Sequence, residues 1–184
     1  MRALLVAPPV LIAVAAGCSS MAALQASTTT GPPEDLVMQA SDFVSLKQMT
    51  PVRGFFVANR AGHLAEALAI SAKADGGTYP VDTVIQLVPQ EAMVKRRAGV
   101  DPAGDDWEFF SLDVSASGTK IVSRGGTEVI NRFGGGCSSC HAAADPKFDF
   151  ICEHDHGCEP LPISDDVIHG IQLADPRPVT PTGN

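Results

Sequence analysis

The chain has 184 residues, 45% of them apolar and 18% charged, and a formal net charge of −8, which suits one globular domain with its own core. An acidic balance without a long basic cluster excludes the electrostatic grip of nucleic-acid-binding proteins and of polybasic membrane-surface segments. Five cysteines must each be assigned a partner, and the chain order does this.

Met1-Arg2, an apolar stretch and the small pair Ala16-Gly17 predict an export signal over residues 1–17. The stretch is shorter than the roughly 20 residues of a spanning helix, and Pro8-Pro9 interrupts it. Val14-Ala15-Ala16-Gly17-Cys18-Ser19-Ser20 resembles the bacterial lipobox. Cys18 is therefore expected to carry lipid and, with Ser19 behind it, to hold the protein in the periplasm on the outer membrane. Cleavage of a plain signal peptide is the alternative. Residues 18–33, rich in Ser, Thr, Ala and Gly, read as a flexible tether. Residues 34–174 read as the domain and the proline-rich residues 175–184 as a frayed tail.

Within the domain, Leu36, Val37, Ala40, Phe43, Val44 and Leu46 lie near helical spacing behind acidic residues, which predicts an amphipathic helix over 34–49. A strand is predicted over 54–59 and an Ala- and Leu-rich helix over 63–73. Beyond Thr78, β-branched residues and turn residues alternate in short blocks, with strands predicted over 83–88, 107–114 and 119–123. The last two form a hairpin across 113–118. Residues 91–97 fit a strand or a helical turn, and Lys95-Arg96-Arg97, the one basic run, reads as a solvated face. The fold class is α+β with an antiparallel sheet.

Cys137-Ser138-Ser139-Cys140-His141 carries the chemistry. Two thiols one helical turn apart can add to the two vinyl groups of a haem, and an imidazole next in line reaches the iron from the same side. The motif predicts one covalent haem c on Cys137 and Cys140, with His141 as the iron ligand. A C-x-x-C redox or zinc pair competes with this reading, but a zinc half-site lacks its second pair, and haem is attached on the exported side. The motif helix is expected to run through Ala142-Ala143-Ala144 and to end at Asp145-Pro146. Cys152 and Cys158 remain: an oxidising compartment predicts a disulfide, while His154, His156 and the neighbouring carboxylates leave a metal site open. His63 and His169 read as surface or capping residues and Trp107 as core. Arg124 and Arg132 read either as surface residues or as partners of haem propionates.

The motif lies near the C-terminus, strands precede it, and all five methionines lie before Cys137. A carrier cytochrome with a downstream Met ligand is therefore not expected, and the strand pattern is unlike that of the four-helix cytochromes c-prime. Gly77-Thr78-Tyr79-Pro80-Val81-Asp82-Thr83-Val84-Ile85, Trp107-Glu108-Phe109-Phe110, and the haem motif followed by Lys147-Phe148-Asp149-Phe150 resemble the cytochrome P-460 and cytochrome c-prime-beta group over about residues 53–163. The resemblance implies a curved antiparallel sheet packed with helices, often as a homodimer. It also implies a proximal His141 and a distal face, open or capped, for which Phe56 and Tyr79 are the candidates. A five-coordinate haem of that kind binds nitric oxide or carbon monoxide, or serves the redox chemistry of small nitrogen compounds with a redox partner protein. The alternative is a periplasmic electron-transfer cytochrome whose haem is six-coordinate. In that group hydroxylamine oxidation goes with a lysine cross-linked to the haem, on the strand after the aromatic-Pro turn. Here residues 83–89 hold no Lys, and Lys95 is expected in water and protonated. No cross-link is therefore expected, and whether the protein is an enzyme stays open.

Overall fold

A computed structural model describes residues 35–179, so the export signal, Cys18, the tether and residues 180–184 lie outside the described residues. Six strands follow one another as an antiparallel meander: β1 (Thr50–Val52), β2 (Phe55–Asn59), β3 (Thr83–Gln86), β4 (Glu91–Lys95), β5 (Trp107–Ser115) and β6 (Gly118–Gly125). Helix α1 (Leu64–Ser71) links β2 to β3, and α2 (Cys137–His141) and α3 (Asp165–Leu173) follow the sheet. The α+β class with an antiparallel sheet is as expected. No helix among the described residues is long and apolar enough to cross a membrane.

Strand alternation sorts the side chains onto two faces. Phe55, Val57, Ile85, Met93, Trp107 and Phe109 form one cluster with Ala67 of α1, Tyr79, Val129, Cys137 and Ile151. Val84, Ala92, Val94, Phe110 and Leu112 form the other, covered by Met38, Phe43, Leu46 and Met49. The motif thus sits on the α1 face, and the N-terminal segment covers the opposite face. In the β4–β5 register Met93 pairs with Phe109 and Lys95 with Trp107, which fixes what lies beneath the motif.

The expected helix over 34–49 does not form. Single 3-10 turns stand at Ala40–Asp42 and Leu46–Gln48. The Asp175 carboxylate accepts the Leu46 N–H at 2.8 Å, a donor that a continuous helix would give to Asp42. Of residues 91–97, Glu91–Lys95 form strand β4. Their basic run is not solvated as expected, because alternation turns Lys95 to one face and Arg96 to the other, where they are 4% and 5% exposed. Lys95 meets Asp149. Arg96 meets Asp82 at 3.1 Å and Glu108 at 2.6 Å. Only Arg97 of the run is exposed.

The sequence reading missed α3, which Ser164 caps by accepting the Val167 N–H and which carries Asp165 and Asp166 in its first turn. Its buried Gln172 donates to Gly54 O and Leu87 O, both at 2.8 Å. The tail expected to fray is anchored at its start, since Asp175 and Arg177 are both buried.

Candidate haem centre

The motif is presented by a closed loop. Asn131 Oδ1 accepts the N–H groups of Phe133 and Gly135, and Cys137 N–H donates to Val129 O at 3.0 Å. Gly136 then caps a helix of five residues. Cys137 is buried and Cys140 exposed. Burial, reinforced by Glu91 and Cys140, pushes the Cys137 thiol up to about 11.

The α-helix stops at His141, and the alanines expected to extend it continue only as a tighter turn, Ala143 and Ala144 N–H donating to Cys140 O and His141 O at 3.2 and 3.0 Å, before Asp145 N–H turns to His156 O at 2.7 Å in the disulfide loop. Cys152 and Cys158 are joined by a disulfide, and no cluster of potential metal ligands is found among the described residues. His156 stacks on Phe148 at 3.5 Å and places Nδ1 2.8 Å from Ile151 O. His154 is exposed near Asp165, and His63 and His169 are exposed as expected.

His141 is half-buried, with its ring 5.2 Å from that of Phe109. Its Nδ1 lies 2.6 Å from Phe150 O. A carbonyl only accepts, so Nδ1 carries the proton and Nε2 holds the free lone pair. Burial lowers the His141 pKa, against the opposing effect of the Phe150 carbonyl, so the ring is neutral at neutral pH. The donor set therefore fits a haem iron: two thiols on one helical turn and a neutral imidazole whose far nitrogen is tied to a backbone carbonyl, the usual support of a metal-ligating histidine.

The acceptor is held in an unusual backbone. Asp149 and Phe150 both have left-handed φ, +53° and +64°, a conformation that costs non-glycine residues about 1–3 kcal/mol each and persists only where surrounding contacts offset that cost. Asp145 N-caps the turn before them. Asp149 is buried and bonded through each of its polar groups. Its carboxylate accepts the Tyr79 N–H at 2.7 Å and pairs with Lys95, its carbonyl accepts Trp107 Nε1–H at 2.8 Å, and its own N–H donates to Pro146 O at 3.2 Å. The sequence carried no signal for these roles of Asp149 and Phe150, since a backbone carbonyl has no residue type and the left-handed pair contains no glycine.

Of the two distal candidates, Phe56 is misplaced: it packs with the opposite cluster, while its neighbours Phe55 and Val57 face the motif. A one-residue offset in a strand inverts the face. Tyr79 is on the motif's face, with its hydroxyl 2.9 Å from Ser71 Oγ and its ring edge-on to Trp107, so its polar end is already engaged. Arg124 pairs with Glu108 and lies over Phe110 on the far face. Arg132 is exposed on the loop before Cys137, and its guanidinium has no partner among the described residues. A cavity of about 580 Å³ between Asp35–Val37 and residues 124–128 does not border the motif, and its arginines, Arg96 and Arg124, are internally paired.

No protein-family model, curated protein or solved structure matches the chain.

Proposed function

We propose that the chain is an exported mono-haem c-type cytochrome, with thioether bonds at Cys137 and Cys140 and His141 as the iron ligand. The carrying observation is the 2.6 Å contact between His141 Nδ1 and Phe150 O, which leaves Nε2 as the ligating atom. A haem so held would supply an iron able to bind small ligands such as nitric oxide or carbon monoxide. The histidines outside the motif offer no evident sixth ligand: His156 is stacked and bonded, and His63, His154 and His169 are exposed. Lys95 supports a plain thioether haem without a lysine cross-link, because its amine is committed to Asp149 and to Asp105 O at 2.6 Å. This argues against hydroxylamine oxidation and for ligand binding. The proposal places the lipid anchor at Cys18 and the protein in the periplasm, as the sequence reading expects.

The test is a haem-stained denaturing gel with the optical spectrum of the ferrous protein before and after carbon monoxide. A retained haem band and a spectrum moved by carbon monoxide are expected, and the Cys140→Ala chain should lose the two-thioether signature. A low-spin spectrum that carbon monoxide leaves unchanged would assign electron transfer instead.

A further inference from the structure

The hydrogen bond that fixes His141 rests on charged groups the haem motif does not contain. Phe150 O accepts from His141 Nδ1, and the N–H of the same peptide unit donates to Phe148 O at 3.1 Å. Hydrogen bonds in series polarise one another, so the second strengthens the carbonyl as an acceptor. The unit follows directly on Asp149, whose carboxylate is locked by the Lys95 ammonium and the Tyr79 N–H and whose carbonyl is held by Trp107 Nε1–H. Lys95 and Asp149 are 6% and 3% exposed at the side chain, and Lys95 Nζ lies 5.3 Å from the centre of the Trp107 ring. A buried ion pair contributes little net stability over apolar side chains of the same volume, so its presence here calls for another role. Lys95 and Trp107 face each other across the β4–β5 register, which places both clamps on rigid strands.

We propose that the buried Lys95–Asp149 pair, with Trp107, is a positioning device for the proximal ligand: it holds the Phe150 carbonyl against His141 Nδ1 and so sets how strongly His141 donates to the iron. The inference rests on the haem reading above. A histidine whose Nδ1–H is firmly held is a stronger donor and stabilises the ferric state. Release of Asp149 lets the left-handed pair relax, weakens the hydrogen bond and raises the reduction potential.

The experiment compares the haem-loaded full chain with its Asp149→Ala, Trp107→Phe and combined Lys95→Met/Asp149→Asn variants, measuring reduction potential and the iron–histidine stretch of the ferrous protein. Asp149→Ala is expected to move the reduction equilibrium about tenfold, an upward shift of about 59 mV for one electron, and to lower the stretching frequency. Trp107→Phe should shift both readings in the same direction by less, and serves alone if Asp149→Ala does not accumulate. The combined variant removes both charges and keeps an acceptor for Tyr79 N–H, so it should lie closer to the original protein than Asp149→Ala does. Haem-loaded Asp149→Ala and Trp107→Phe chains with unchanged potential and stretch would overturn the positioning role and leave the haem reading intact. An original chain without covalent haem would overturn both.

Discussion

The two motif cysteines differ in reactivity because they differ in burial. Cys137 joins the core cluster on the α1 face, and its thiol is pushed up to about 11 by that burial first, then by Glu91 and Cys140. Cys140 is exposed on the same short helix. The thiolate is the nucleophile, and a rise from 9.0 to about 11 leaves about a hundredfold less of it at a given pH. In the haem-free chain at pH 8, iodoacetamide should therefore alkylate Cys140 at least about tenfold faster than Cys137, as read by peptide mass mapping over time. Equal rates would show that Cys137 is not packed as described.

Elements were legible where pattern alone decides them and illegible where distant groups do. Strands β2, β3, β5 and β6, helix α1 and the hairpin follow from alternation and turn residues, and the motif residues follow from spacing. The N-terminal segment was misread because Asp175, far along the chain, takes a donor the helix needed. The basic run was misread because Asp149, Asp82 and Glu108 meet it from other elements. The support of His141 was invisible for the same reason: it depends on the close approach of residues 76–77 to 147–149. Gly77 N–H donates to Lys147 O at 2.8 Å, and a Cβ on Gly76, whose φ is +68°, would stand 2.0 Å from that same oxygen. Gly76→Ala must displace the backbone leading to Asp149, and a cost of about 2–3 kcal/mol is expected, read as a lower urea midpoint with unchanged slope. An unchanged midpoint would mean this approach is not part of the folded state.

At the scale of the whole molecule, two buried carboxylates respond to pH in opposite senses. Asp175 joins the segment before the sheet to the one after it: it accepts from Ser45 Oγ, Leu46 N–H and Arg177, while Arg177 reaches Phe43 O at 3.1 Å and Gln86 Oε1 at 3.5 Å. Burial raises its pKa, but Arg177 and the backbone N–H groups outweigh burial and hold it below 3.8. Its contribution to stability is present above that value and is lost as pH falls through the lower folded one. Removing one partner of such a pair strands the other, so Arg177→Met should cost about 3–5 kcal/mol at pH 7. Asp149 behaves conversely. Burial, with Asp105 adding, outweighs Lys95 and the Tyr79 N–H and raises it to about 6. Its stabilising contribution is complete below 3.8 and is lost as pH rises through about 6, because the folded chain holds the proton more tightly than the unfolded one. Urea midpoints from pH 3 to pH 7 should therefore separate two variants. Relative to the original chain, Asp149→Asn should gain as pH rises from 4 to 6, since it lacks the charge that becomes costly there. Asp175→Asn should be the weaker protein at pH 7 and converge on the original as pH falls below about 3.8. Parallel profiles across that range would show that neither carboxylate is buried and paired as the structure has them.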